Sequence, residues 1–292
     1  MEKAELTACN PRPFLKWAGG KRALAAQISA IAGAAPNRYF EPFVGAGAIL
    51  FSKIEAREHI VGDLNSELVA TYRIIQSNPT GVAQALIALK QSEEDFYRVR
   101  AWDRDPLFST RHAQETIAAR MIYLNRLCFN GLYRVNSRNE FNVPFGKRTF
   151  SVDREVENIL EVSAFLAGKC ECASSPVQIR EGNYRVTSKD AAEGDLIYFD
   201  PPYSHTSADS FVNYQPEGFS PANQVELRDW ALELKHRGAR CLISNSDTQQ
   251  IRELYGRKTD FRVHEIVAPR RVGAKAASRS AVTELLIETT PE

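Results

Sequence analysis

The sequence lacks an excess of charge of either sign. Its formal net charge is only +1, from 37 basic and 36 acidic residues, so bulk electrostatics selects no partner and only local clustering can. It is poor in cysteine, with five, and contains no Cys-x-x-Cys pair. The irregular placement of Cys9, Cys128, Cys170, Cys172 and Cys241 argues against a disulfide framework and against a zinc site. Reduced thiols are the expectation, with no metal. No apolar run approaches the ~18 residues of a membrane span, and the N-terminal segment has no signal core. A cytosolic setting without a membrane partner is expected. Internal repeats and low-complexity tracts are absent too. What is present is 292 residues, 43% hydrophobic and 25% charged, enough for one large domain or one domain with an insertion.

Residues 39–43 read as a short strand, followed by the turn Val44-Gly45-Ala46-Gly47 and a helix from 48 to about 56. A second strand, 59–62, ends at Asp63, and helix follows from Leu64. Strand, glycine turn, helix, strand and acid compose a right-handed βαβ unit. From about 66 to 154 the pattern becomes helical (82–90, 93–100, 113–126). It then passes into a stretch rich in Asn, Gly and Arg with no long apolar strand, as an inserted module would. Strands at 177–179, 196–199 and 240–244 return afterwards, with a helix over 221–236. The segments 261–267 and 282–288 alternate like a closing antiparallel hairpin.

The chemistry concentrates at Asp200-Pro201-Pro202-Tyr203, directly after the apolar run Leu196-Ile197-Tyr198-Phe199. Proline lacks an N–H and fixes φ, so the strand stops there. It ends on a carboxylate, an unpaired main-chain carbonyl and an aromatic ring, at the sheet edge where open α/β folds bind ligands. Two acceptors suit the two hydrogens of an exocyclic amine, and the ring suits the base that carries it. An ordinary turn is the plainer reading of these four residues alone. Gly45 and Gly47 let backbone approach a ligand closely, and Asp63 at the next strand end suits ribose hydroxyls; tight packing explains the turn equally. Leu50 breaks the full G-x-G-x-x-G pattern. A ligand without a pyrophosphate, such as S-adenosylmethionine, does not need the third glycine. Trp17, followed by Gly19, Gly20 and Lys21, suits stacking on a cofactor and holding its carboxylate, a core tryptophan being the alternative. Six basic residues and one acid lie between Arg120 and Phe150, and four basic residues with no acid between Ala268 and Thr283.

Taken in order, FLKWAGGK, EPFVGAG, GDLN, then YLNRLCFNGLYRVNSRNEFNVPFG, and finally DPPY resemble the DNA adenine-N6 methyltransferases of the Dam type. The resemblance runs from Phe14 to about Ile287. It implies an α/β fold with a Rossmann-like S-adenosylmethionine-methyltransferase sheet and an inserted, mostly helical target-recognition domain. Residues 1–66 and 155–292 would form the catalytic domain and 67–154 the insert. Trp17, Lys21, Phe43, Gly45, Gly47 and Asp63 would hold S-adenosylmethionine. Asn183, where the family often has an acid, would accept a hydrogen bond from the cofactor's adenine amine. Asp200, Pro201, Pro202 and Tyr203 would act on the target adenine, flipped out of double-stranded DNA.

Asn130, Leu132, Arg134 and Pro144 would read the duplex, with Arg134 matched to a guanine and Arg138 on a phosphate. Lys275 and Arg279 would bind phosphates without reading bases. Phe129 is either a wedge in the duplex or a core phenylalanine. The resemblance further implies the site GATC, a bacterial or phage origin and a monomer in solution. Methylation of an RNA base or a protein glutamine remains as a rival, as does a catalytically silent DNA-binding relative. No Pro-Cys step is present, so a cytosine-C5 chemistry with a cysteine nucleophile does not fit.

Overall fold

The computed structural model describes residues 8–17, 19–21, 24–52, 54–202, 219–256, 259–268 and 282–291. Tyr203, Lys275 and Arg279 lie outside the described residues. The first half runs α1 (Ala25–Ala32), β1 (Arg38–Glu41), β2 (Glu58–Asp63), α2 (Ser66–Ser77), α3 (Pro79–Ile87), α4 (Glu93–Arg100), α5 (Phe108–Arg111), α6 (Gln114–Leu127) and α7 (Val152–Leu166). The second half runs β3 (Gln178–Glu181), α8 (Tyr184–Ser188), β4 (Leu196–Phe199), α9 (Pro221–His236), β5 (Arg240–Ser246), α10 (Gln249–Tyr255), β6 (Phe261–Ala268) and β7 (Val282–Thr289).

The strands form one sheet in the order β3-β2-β1-β4-β5-β7-β6. β1 to β5 pair in parallel, and β7 joins β5 antiparallel, with β6 outside it. All four residues of β4 are buried, as a parallel strand covered on both faces requires. Leu196 and Tyr198 pack with Ile28 and Tyr39 on the α1 side. Ile197 and Phe199 pack with Leu227 and Trp230 on the α9 side. The chain moves outward from β1 through β2 to β3, then returns to set β4 on the other flank of β1. The carboxyl ends of β1 and β4 thus flank a topological switch point, where such sheets bind their ligands.

The helices α2, α3, α4, α6 and α7 share one core with the sheet: Val44, Leu50 and Val61 join Leu68, Leu124 and Phe165 in a single cluster. Their starts follow capping chemistry. The Asn65, Asn78, Ser92 and Ser151 side chains each accept a backbone N–H at the start of α2, α3, α4 and α7. Arg120 of α6 is 1% exposed. It donates to the Asp103 carboxylate at 2.7 Å and to the carbonyls of Val99 and Arg100 at 3.0 and 2.9 Å. A buried guanidinium requires that density of acceptors.

Three expectations change. The helix expected over 48–56 is a single 3₁₀ turn, Leu50–Ser52. Ile49 is buried toward α1 while Leu50 and Phe51 are buried in the helical core, so no polar face exists for a longer helix, and the Ser52 hydroxyl donates to the Ile49 carbonyl at 2.6 Å. Residues 152–166, not expected as a helix, form α7. The cysteines are not all reduced thiols: Cys9 and Cys170 form a disulfide with Cα atoms 5.9 Å apart. Their separation of 161 positions hides a proximity made by tertiary structure. The Asn158 side chain of α7 holds the Arg12 N–H and C=O, both at 3.0 Å, and so lays the N-terminal segment along that helix.

Candidate active site

A cavity of about 1040 Å³ opens at the switch point, lined by Glu41 and Phe43 at and after the end of β1 and by Asp200, Pro201 and Pro202 directly after β4. Trp17, Gly45, Asp63 and Asn183 line it too, and so do Asn130, Leu132 and Tyr133 from the segment after α6. Most of the expected cofactor groups, Asp200 to Pro202, and Asn130 and Leu132 of the expected recognition groups therefore meet around one space, while Phe129, Arg134, Arg138 and Pro144 do not line it.

The glycine turn shapes one wall. Gly45 has φ 48°, a left-handed conformation that favours glycine. A Cβ there would stand 2.8 Å from Trp17 Cδ1, so the glycine lets the indole lie against the backbone. Asp63 fixes the turn from below: Oδ2 accepts the Gly45 N–H at 3.1 Å and Oδ1 the Asn65 N–H at 3.0 Å. Burial raises its pKa while these amides oppose the rise. Gly47 does not line the cavity. A Cβ on it would meet Phe51 at 2.7 Å and the Tyr72 hydroxyl at 2.8 Å, so its demand is for packing. Gly45→Ala is expected to displace Trp17 and destabilise the fold by ~1–3 kcal/mol, the range for backbone strain of this kind. An unchanged urea midpoint, followed by tryptophan fluorescence, would refute this.

The acids hold the next wall. Lys21 is 4% exposed, and its Nζ lies 3.0 Å from Asp200 Oδ1 and 3.7 Å from Glu284 Oε2. The cation expected to take a cofactor carboxylate is thus turned onto the strand-end carboxylate. Burial raises the Asp200 pKa, Lys21 pulls it back down, and Glu284 pushes it up again. Glu41, at the end of β1, is buried and bonded to the Tyr39 hydroxyl at 2.9 Å. Burial raises its pKa to about 8, with Asp200 adding to the rise, so it is mostly protonated at neutral pH. Glu41 and Glu284 were not among the residues expected from sequence. An acid inside the apolar run Tyr39-Phe40-Glu41 is the signal that would have found the first. For the second there is only an alternating strand, which normally puts its acid in water.

Aromatic rings form the third wall. Phe43 stacks on Tyr184, centroids 5.7 Å apart, and meets Phe199 and Phe219 edge-on. Asn183 stands at its rim, but its Oδ1 accepts the Arg185 and Val186 amides at 3.1 and 3.2 Å. The acceptor expected to take a cofactor amine is occupied by the start of α8.

The segment after α6 turns at Asn130 and Gly131, with φ 56° and 66°. Single bridges between Cys128 and Phe145 and between Val135 and Phe141 make it hairpin-like. Phe129 is 52% exposed, so it is not a core residue. Pro144 is exposed, and its carbonyl takes the Phe129 N–H at 2.9 Å. Arg134 is half-buried and donates Nε–H to Asn142 Oδ1 at 2.7 Å. Arg138 is exposed and pairs with Glu140 at 3.2 Å.

Comparison with known proteins agrees with this geometry. Residues 17–272 match the family described as D12 class N6 adenine-specific DNA methyltransferase. The type II methyltransferase M1.LlaDCHI of Lactococcus lactis subsp. cremoris is 40% identical over 285 residues, 95% of either chain. The DNA adenine methylase of Escherichia coli strain K12 is 32% identical over 285 residues, 94% of either chain. The type II methyltransferase M.MjaIII of Methanocaldococcus jannaschii is 30% identical over 298 residues, 94% of this chain and 98% of its own.

Proposed function

The chain belongs to the D12 class of N6 adenine-specific DNA methyltransferases, and on that premise we propose that it methylates adenine in GATC, using S-adenosylmethionine in the cavity between β1 and β4. The observation that carries the reading is the placement of Asp200 and Pro201 at the switch point, with Lys21 3.0 Å from the carboxylate.

The amine of adenine is a poor nucleophile because its lone pair is delocalised into the ring. The Asp200 carboxylate and the Pro201 carbonyl accept its two hydrogens, which localises the lone pair and stabilises the charge growing on nitrogen. Lys21 favours the ionised, oriented carboxylate of Asp200 against the burial that raises its pKa. Glu41 carries its own proton below and adds little competing negative charge. When bound, S-adenosylmethionine supplies an electrophilic methyl group. The residues around it suit such a nucleoside: the Gly45 backbone allows close approach, Asp63 retains acceptor capacity for ribose hydroxyls, and Phe43 offers an aromatic face. Tyr203, outside the described residues, is assigned to stacking on the flipped base. Residues 67–154 act as the recognition insert. Phe129, Asn130, Leu132, Arg134 and Pro144 are assigned to the duplex, and Arg138, Lys275 and Arg279 to its phosphates.

Support for GATC comes from relatives named DNA adenine methylase and from the NGLYR and NVPFG segments. Unmethylated plasmid incubated with the protein and S-adenosylmethionine is expected to resist a GATC nuclease blocked by adenine methylation. Methyl incorporation without that resistance would replace the site and keep the chemistry; no incorporation into duplex DNA would overturn both.

A further inference from the structure

Three of the five cysteines gather outside the cavity lining. The sulfurs of Cys9, Cys170 and Cys172 all lie within 4.8 Å of one another. Cys172 Sγ is 2.9 Å from Cys170 Sγ and 3.8 Å from Cys9 Sγ. Two of the three come from a tight turn after α7, closed by the Ala173 N–H on the Cys170 carbonyl at 2.9 Å. The third comes from the N-terminal segment, which Asn158 holds against α7. A disulfide uses two sulfurs and needs no third beside it.

The third sulfur is not placed for exchange. Attack on Cys170 runs along the extension of its S–S bond, where Cys172 would be farther from Cys9 than from Cys170 by a full bond length, ~2.05 Å. The two distances differ by much less than that, so Cys172 sits beside the bond. The cluster instead places three sulfurs within reach of one small cation. Two thiolates bound ~2.3 Å from a tetrahedral zinc are roughly 3.8 Å apart, the separation of Cys9 and Cys172, whereas Cys170, bonded to Cys9 and 2.9 Å from Cys172, must move away from both once the disulfide opens. An all-sulfur donor set selects soft cations.

We propose that Cys9, Cys170 and Cys172, once reduced, form a three-thiolate site for zinc that clips the N-terminal segment to the turn after α7. A dithiol reductant supplies two electrons and two protons to open the Cys9–Cys170 bond into two thiols, and itself closes to a disulfide. The three thiols then release three protons as one Zn²⁺ binds, and water takes the fourth position. The clip lies a few residues before Phe14 and Trp17, so the metal fixes the approach of the cavity wall to the core. Cys128 and Cys241 are buried, which raises both thiol pKa values, that of Cys128 to about 11. They do not compete as thiolates at neutral pH.

The test uses the full chain, reduced with a phosphine that does not chelate metals, and titrated without DNA or S-adenosylmethionine. Cadmium is expected to raise a thiolate charge-transfer absorption that saturates at one ion per chain. In a separate titration of the metal-free reduced chain, zinc is expected to release three protons and raise the melting temperature, and cadmium added afterwards to displace it with the same absorption. Cys172→Ser leaves the disulfide pair intact but should weaken zinc by at least ~10–100-fold, a loss seen even when only a ligand's hydrogen-bonding partner is removed. Cys9→Ser serves as the second variant, with circular dichroism to confirm folding. No absorption at equimolar cadmium, or the same titration in both folded variants, overturns the site. So does mass spectrometry showing a Cys170–Cys172 disulfide in place of bound metal.

Discussion

Replacing Asp200 by alanine is expected to lower kcat by at least ~10²–10³-fold, the loss typical of a preorganised group that meets developing charge. DNA and S-adenosylmethionine should still bind, because the carboxylate acts on charge that appears only in the transition state. The structure gives the effect a second component. Removing Asp200 takes away the acid 3.0 Å from Lys21 and leaves the ammonium to Glu284 at 3.7 Å, so a cation then faces the place where positive charge must grow. Asp200→Asn keeps the shape and loses the charge, and should fall between alanine and wild type. Single-turnover methyl transfer to a duplex, with binding measured separately, checks both. A variant that keeps a tenth of the wild-type rate would remove Asp200 from the catalytic role.

Arg134→Ala is expected to erase discrimination at a guanine rather than weaken all DNA alike. Its Nε–H is bonded to Asn142 at 2.7 Å, which fixes the plane of the guanidinium and presents its two Nη groups as a fork. That fork matches guanine O6 and N7 in the major groove, and a good bidentate pair is worth ~1–3 kcal/mol, or roughly 5- to 150-fold in discrimination. Asn142→Ala should reproduce part of the loss, since a guanidinium free to rotate forfeits its pre-organised plane. The quantity to measure is the ratio of kcat/KM on a GATC duplex to that on a guanine-substituted one. A ratio unchanged in the variant, with overall binding reduced, would put Arg134 on a phosphate.

What could be read from sequence was whatever depends on neighbours along the chain. The apolar run before Asp200, the helical stretches that became α4 and α9, and the alternation of β6 and β7 are local, and the strands and helices follow them. The fold class and the adenine-N6 chemistry followed from the order of the motifs. What escaped depends on contacts across the fold. Lys21 reads as a cofactor ligand because its position before a helix is visible, whereas its pairing with Asp200 and Glu284 arises only when β4 and β7 are in place. Asn183 reads as an acceptor because nothing in Gly182-Asn183-Tyr184 shows that α8 begins there and takes its oxygen. The helix expected after Gly47 fails because three adjacent apolar side chains are buried in two different clusters. The disulfide is of the same kind, joining segments that only α7 brings together.

The stack of Trp17 on Tyr133, with ring centroids 5.3 Å apart, ties the N-terminal wall of the cavity to the segment assigned to the duplex. Asn125 ties the same two pieces, bonding the Lys16 N–H and C=O at 2.7 and 2.8 Å and the Gly131 carbonyl at 3.1 Å. Two binding surfaces that share such a connection are coupled to the extent that a ligand on one shifts the contacts made by the other. Whatever factor methyl-donor binding adds to the affinity for DNA, DNA must add to the affinity for the donor, because the coupling free energy belongs to the ternary complex. Its loss of the methyl group alters one partner in that cycle and, through the same stack, the hold on the other.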